Sequence, residues 1–240
     1  KLSDMLLEIA LVYEGEIDDI AYAEMKLEIA AGFSPDTNIF VDRRVHDRQV
    51  AFLVSVDQSQ EAGRVVKDSL RYIDYVRFGL TGMLEVAKVF DDRFAVAGYT
   101  SKGHREVFTT FFKEFDEPFS VDIDFRIGLM APLYAARTGT AYRHLGNRLL
   151  EQNVNRRILI DLVSTHPHDI DYDGQLGVDD TAAAVQELQA KGINVYALIL
   201  NPTLSTETLN TVYGPGHYQV VTRPGRIMDD LGKLYALLSM

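Results

Sequence analysis

Three polar residues follow a long apolar segment at alternate positions, and their side chains could bind a metal ion or a partner protein. The segment RQVAFLVSVD ends at Asp57, and Ser59 and Glu61 follow in the order D-x-S-x-E. Carboxylate and hydroxyl oxygens are the ligands that Mg²⁺ and Mn²⁺ prefer. Asp57 and Glu61 could also form an acid–base pair, but two carboxylates after a strand are too common to establish an enzyme. Alternatively, Asp57 and Ser59 cap the following helix, since both residue types favour a helix N-terminus.

A second group of carboxylates has the spacing of a calcium-binding loop. The run DIDYDG starts at Asp169, has Asp171 and Asp173 at alternate positions, and is followed by Asp180 at the twelfth place. An EF-hand loop has a bidentate Glu at that place and a helix in front of the loop. Because both are missing, the sequence favours a surface loop that caps a helix, with calcium binding as the alternative.

Strands and helices alternate along most of the chain, which predicts an α/β fold with a doubly wound sheet. Apolar runs without polar alternation are typical of parallel strands that are buried on both faces. Ligands of such sheets bind beyond the carboxyl ends of the strands, where Asp57 is expected. The predicted strands are 48–57, 93–100, 106–115, 158–164, 193–200 and 217–222, and the predicted helices are 66–87, 121–131, 140–153, 179–191, 205–213 and 226–238.

The beginning of the chain differs from the rest. Residues 2–31 follow a helical period and are rich in Leu, Ile, Ala and Glu, and residues 35–47 are polar and charged. We therefore expect an N-terminal helical segment with a connector at 1–47, followed by one α/β domain at 48–240. The chain starts at Lys1 without Met, so we also expect it to be part of a longer protein.

The composition argues against several classes of function. The 24 basic and 35 acidic side chains give a net charge of −11, which disfavours a nucleic-acid partner. The chain has no Cys, which excludes thiol catalysis and disulfides and fits a cytoplasmic protein. No apolar run reaches the roughly 20 residues of a transmembrane helix. Neither a glycine-rich nucleotide motif nor a G-x-S-x-G elbow occurs, so we expect no enzymatic activity.

Several longer segments resemble the NorD/CbbO family of von Willebrand factor A proteins. This resemblance implies a mostly parallel sheet flanked by helices. It also implies an adaptor that works with a MoxR-type AAA+ ATPase to mature, activate or remodel a target metalloenzyme. That target is nitric oxide reductase for the NorD type, to which the G-x-D-D-T piece is closest, and Rubisco for the CbbO type. The segments are IAAGFSPDTNIFVDRR, VAFLVSVDQSQ, AGYTSKGHREV, FKEFDEP, RTGTAYRH, RRILIDLVS, HDIDYDGQLGVDDTAAAV, YQVVTRPGRI and LYALL.

The metal-ion-dependent adhesion site of that family is altered in this chain. Glu61 replaces the second serine of D-x-S-x-S, Ala136 stands where the family has a threonine, and Ser164 stands where it has an aspartate. Mg²⁺ needs near-octahedral oxygen ligation, so we expect a site without a metal. Asp161 is an odd number of residues from Ser164, which predicts that it faces away and cannot replace the lost acid.

Two alternatives for the binding role follow from these residues. We expect the degenerate site to bind a partner protein without a cofactor, through Asp57, Ser59, Glu61, Arg137, Thr138, Ser164 and His166. A calcium-dependent binding module is the alternative, with Asp169, Asp171, Asp173 and Asp180 as ligands, and Mg²⁺ at the adhesion site is a further one.

Overall fold

A computed structural model describes residues 16–17, 40–41, 49–67, 69–90, 92–201 and 203–239. The chain divides into two compact units, Lys1–Arg48 and Gln49–Met240. In the first unit, two short strands pair antiparallel, β1 (Glu16–Ile17) and β2 (Phe40–Val41). The first of them interrupts the predicted N-terminal helix directly after Gly15, and glycine is a poor helix former. The rest of that predicted helix lies outside the described residues.

The second unit is built on a six-stranded sheet. Its strands are β3 (Val50–Asp57), β6 (Arg93–Ser101), β7 (Val107–Lys113), β8 (Arg156–Val163), β9 (Ile193–Ile199) and β10 (Tyr218–Val220). They lie in the order β10-β9-β8-β3-β6-β7, and all neighbours are parallel except β6 and β7. The predicted α/β architecture with a mostly parallel sheet is therefore confirmed. Every residue of the central strand β3 is buried, as its apolar sequence predicts.

Helices cover both faces of this sheet and enclose two apolar layers. One layer contains side chains of α1 (Tyr72–Phe90), α2 (Val121–Gly128) and α6 (Ile227–Ser239). The other contains side chains of α3 (Thr138–Leu150), α4 (Gly174–Ala190) and α5 (Thr206–Val212). Alternate residues of β3 enter the two layers, because successive side chains of a strand point to opposite faces.

Two helices begin elsewhere than the sequence predicts. Helix α1 starts at Tyr72 rather than near Val66, because a 3-10 turn (Gln60–Gly63) and a small hairpin of β4 (Val65–Lys67) and β5 (Leu70–Arg71) come first. The adjacent valines at 65 and 66 favour extended backbone. Helix α4 starts at Gly174, so it is Asp173 and not Asp179 that precedes its first turn.

Candidate functional site

The sheet brings Asp57 and Ser164 together at its carboxyl edge. Asp57 is the last residue of β3, and Ser164 directly follows β8, the parallel neighbour of β3. The Asp57 carboxylate is 2% exposed. Its Oδ1 accepts a hydrogen bond from the Ser59 backbone N–H at 2.8 Å, and its Oδ2 accepts one from the Ser164 backbone N–H at 3.1 Å. The Ser164 hydroxyl also donates to Oδ2. We call Asp57, Ser59 and Ser164 the edge cluster.

Ser59 is the part of the edge cluster with unused hydrogen-bonding capacity. Its side chain is fully buried, and its hydroxyl has no hydrogen-bond partner among the described residues. It precedes the 3-10 turn Gln60–Gly63 without making a side-chain cap, and α1 begins only at Tyr72. The interpretation that Asp57 and Ser59 cap the first long helix is therefore wrong, because the intervening turn and hairpin separate them from it.

The oxygen atoms of the edge cluster do not fit the coordination that Mg²⁺ requires. Asp57 supplies the one carboxylate of the cluster, and its Oδ2 already accepts two hydrogen bonds from Ser164. Ala136 is buried and has no side-chain oxygen, while Glu61 is exposed in the 3-10 turn. In the part of the chain that the structure describes, no three acidic or histidine side chains gather where they could hold a metal ion.

The loops after β3, β6 and β8 are all tied to the segment between α2 and α3 around the edge cluster. The backbone of Ser101, at the end of β6, pairs with Ala135, and Ala136 pairs with His168 after β8. The segment after β3 is fixed to the same loop, since the Gln60 N–H donates to the carbonyl of Tyr134 at 3.0 Å. These backbone hydrogen bonds give the edge a defined surface rather than a set of independent loops.

Arg137 holds the acidic loop to this edge. Its Nε donates to Asp169 Oδ2 at 3.2 Å, and its guanidinium carbon lies 4.7 Å from the centre of the Tyr172 ring. Its backbone N–H donates to the Ser101 hydroxyl at 2.9 Å. The Arg137 side chain is 11% exposed, so this predicted partner-binding residue is largely occupied by contacts within the chain.

Two other predicted binding residues differ in their exposure. Thr138 is buried at the first position of α3, whereas His166 is exposed in the loop after β8. Partial burial, together with the neighbouring His168, lowers the pKa of His166. His166 is therefore neutral over more of the physiological pH range than an isolated histidine.

The four predicted calcium ligands have separate surroundings. Asp169 accepts hydrogen bonds from the backbone N–H groups of Gly103 (2.9 Å) and Ile170 (2.7 Å). Burial opposes ionisation of Asp169, but these bonds and Arg137 hold its pKa below the usual range. Asp180 forms an ion pair with Arg143 at 2.8 Å. The other two, Asp171 and Asp173, are exposed.

A buried carboxylate that the sequence did not single out as a site residue lies one layer below the edge cluster. Asp161, in β8, accepts hydrogen bonds from Ser55 Oγ (2.5 Å), Tyr99 OH (2.8 Å) and Tyr142 OH (2.7 Å). Burial raises the pKa of Asp161 to about 7. The prediction that Asp161 faces away from the site is wrong. Ser164 lies beyond the end of β8, so strand alternation does not extend to it, and Asp161 pairs with Ser55 on the face that also carries Asp57.

Comparisons with known proteins support the resemblance found in the sequence. No family model matches the chain. An uncharacterized protein of Pseudomonas aeruginosa is 29% identical over 224 residues, which cover 93% of this chain and 36% of that protein. The protein named NorD of Brucella suis is 28% identical over 227 residues, which cover 93% of this chain and 35% of that protein. The chain thus spans about a third of the length of these curated relatives.

Solved structures identify the fold. The pilus adhesin SpaC from Lactobacillus rhamnosus GG superimposes with a TM-score of 0.60 at 12% identity, over 79% of this chain and 30% of that one. A von Willebrand factor type A structure from Catenulispora acidiphila gives a TM-score of 0.54 at 14% identity, over 78% of this chain and 42% of that one. The chain has a von Willebrand factor A fold, and its sequence is similar to proteins of the NorD type.

Proposed function

We propose that this chain is the von Willebrand factor A part of a cytoplasmic accessory protein of the NorD type, without enzymatic activity of its own. Its partners are a MoxR-type AAA+ ATPase, which hydrolyses the nucleotide, and a target metalloenzyme of the nitric oxide reductase kind. The similarity to proteins named NorD over 93% of the chain supports this proposal. A CbbO-type adaptor for Rubisco is the related alternative that the sequence resemblance leaves open.

The carboxyl edge of the sheet carries this proposal. Asp57 is bound within the chain by Ser59 and Ser164, and the neighbouring Glu61 is exposed on the surface. Since the oxygen atoms of the edge cluster do not fit the coordination of Mg²⁺, we infer that no metal ion adds positive charge at this edge. An acidic edge of this kind is complementary to a basic or hydrogen-bond-donating surface rather than to a partner's carboxylate.

The chemistry of the edge cluster favours binding over catalysis. A serine nucleophile needs a base within hydrogen-bonding distance, usually a histidine. In the described ranges, the Ser164 hydroxyl donates to Asp57, and the Ser59 hydroxyl has no partner. His166, the nearest histidine in sequence to Ser164, is exposed in the loop.

The proposal can be tested by measuring the binding of a purified MoxR-type ATPase. We expect the immobilised chain to bind the ATPase in biolayer interferometry, and Glu61→Lys to weaken that binding about tenfold, as a reversed charge at an interface does. Glu151→Lys is the matched control. Glu151 is also an exposed acid, but it lies between the end of α3 and the amino end of β8.

Two results would contradict the proposal in different ways. If the wild-type chain does not bind the ATPase, the proposed partner is wrong. If Glu61→Lys and Glu151→Lys bind like the wild type, the partner is right but the interface is not at the carboxyl edge.

A further inference from the structure

Helix α2 carries apolar residues on two different faces. Ile123 and Ile127 are buried in the core, as expected for the inner face of an amphipathic helix. Val121, Phe125 and Leu129 follow one another at intervals of four residues and are 82%, 67% and 63% exposed. Folding does not require this second stripe, and a contiguous exposed apolar surface commonly marks an interaction site.

A groove between α1 and α2 lies beside this stripe. A cavity of about 340 Å³ is lined by Leu70 and Phe78 from the β5–α1 side and by Ile127 from α2. A second cavity of about 210 Å³ is lined by Leu84 of α1 and Val121 of α2. Asp124 lines both cavities, so they meet at this residue, and Phe78 is 60% exposed at the rim. We call this feature the α1–α2 groove.

The groove contains a carboxylate without an internal partner. The Asp124 side chain forms no hydrogen bond or ion pair with any described residue. The other charged residues at the groove include Asp74 and Arg77, which pair with each other at 3.0 Å. The lining thus has three carboxylates, Asp74, Glu85 and Asp124. It has two cations, Arg77 and Lys88, so one negative charge is left over.

We propose that the α1–α2 groove and the stripe beside it dock an amphipathic helix of a partner protein, which packs apolar residues on Val121 and Phe78 in the groove and on Phe125 of the stripe, and pairs a Lys or Arg with Asp124. In helix-in-groove recognition, apolar side chains at one-turn spacing enter a groove of this kind. The unmatched carboxylate selects a basic helix, because opposite charge at an interface guides association and excludes like-charged partners. This inference does not depend on the function proposed for the carboxyl edge.

The same charges disfavour two other occupants. An anionic lipid surface attracts clusters of Lys and Arg, whereas this groove has a net negative charge. A second copy would bring the Asp124 carboxylates of two identical grooves together, in a chain whose net charge is −11. A basic protein segment therefore fits the groove better than either.

Fluorescence anisotropy with two synthetic helical peptides tests the inference. Both peptides carry Leu at positions i, i+3, i+4 and i+7, and they differ in having Arg or Glu beside this stripe. We expect the full chain to bind the Arg peptide about tenfold more tightly than the Glu peptide, and Asp124→Asn to remove that preference. Phe125→Ser should weaken the Arg peptide about tenfold, as loss of an aromatic anchor does.

Two control variants match these substitutions. Asp122→Asn changes a neighbouring exposed carboxylate of α2 that does not line the groove, and Val89→Ser changes an apolar residue of α1 that is 81% exposed outside it. Both should leave peptide binding unchanged. Circular dichroism checks that all variants are folded, and Val121→Ser replaces Phe125→Ser if the latter is not.

Several results would overturn the inference. They are failure of the Arg peptide to bind, equal binding of both peptides, and equal loss of binding in the control variants. Cosedimentation with phosphatidylcholine–phosphatidylglycerol vesicles that Phe125→Ser abolishes would assign the groove to a membrane. A concentration-dependent dimer that the same substitution abolishes would assign it to self-association.

Discussion

Ser164 binds Asp57 twice, through its backbone N–H at 3.1 Å and through its hydroxyl, and both bonds reach the same carboxylate oxygen. This is possible because β3 and β8 are parallel neighbours that end side by side. An aspartate at position 164 would place a second negative charge next to Asp57, which requires a cation to balance it. Ser164 instead donates two hydrogen bonds to Asp57 from within the protein.

Ser164→Asp combined with Ala136→Thr should create affinity for Mg²⁺. The two substitutions restore a carboxylate at 164, next to Asp57, and a hydroxyl at 136, in addition to the Ser59 hydroxyl, which has no partner among the described residues. Hard oxygen ligands are those that Mg²⁺ prefers. Isothermal titration calorimetry should detect binding in the double variant and none at submillimolar Mg²⁺ in the wild type. Wild-type binding that disappears in Asp57→Ala would contradict this.

Ser164→Ala should destabilise the protein. It removes a buried hydroxyl that donates to the Asp57 carboxyl group, and a typical hydrogen bond contributes about 0.5–1.5 kcal/mol. Urea denaturation at neutral pH measures the change. Ser120→Ala is the control, since the Ser120 side chain is exposed and makes no cap hydrogen bond, and it should change stability much less. Equal losses in both variants would mean that the Ser164–Asp57 bond contributes nothing.

The central strands could be predicted from the sequence because they are buried on both faces. The predicted strand at 158–164 corresponds to β8 (Arg156–Val163), and that at 193–200 to β9 (Ile193–Ile199). The start of α1 could not be predicted from the sequence, because the apolar residues of β4 and β5 fit the same helical period as those of the helix. Local extended preference and the left-handed turn at Ser69 decide that segment.

The candidate site was harder to predict than the fold. Asp57, Ser59 and Ser164 follow strand ends, so their meeting follows from a parallel sheet. Arg137 is predicted to belong to the same site, but its side chain is bound to Asp169. The spacing of residues along the sequence does not reveal such a contact between two loops. The tyrosines around Asp161 come from β6 and α3, and a single sequence gives no signal that they converge.

Calcium should leave the melting temperature nearly unchanged. Asp169 and Asp180 already pair with Arg137 and Arg143, so a calcium ion would have to displace both arginines. A true site would stabilise the protein by about 2.7 kcal/mol at a hundredfold excess over its dissociation constant. Differential scanning calorimetry with and without Ca²⁺ is the measurement. A clear rise that is lost in Asp171→Asn would favour the calcium-dependent module instead.

Titration of Asp161 should lower the free energy of unfolding as the pH rises from about 4 to about 7. Burial raises its pKa to about 7, above the value of about 3.9 for an unfolded aspartate, so the folded protein binds more protons in this range. Asp161→Asn removes this titration. Urea denaturation from pH 5 to 8 should therefore show a smaller decrease for the variant than for the wild type. Asp122→Asn, an exposed control, should retain the wild-type slope, and an identical slope in Asp161→Asn would contradict the assignment.

Association at the carboxyl edge should slow as salt increases. Asp57 is buried and hydrogen-bonded within the chain, whereas Glu61 is exposed. A partner therefore meets the charge of Glu61 first. Exposed charges steer encounter over distances that salt limits to roughly 10 Å at 0.1 M. Stopped-flow measurement with the MoxR-type ATPase should give a decreasing association rate from low to moderate salt, and a flatter dependence for Glu61→Lys. A rate independent of salt in the wild type would show that the edge does not recognise its partner by charge.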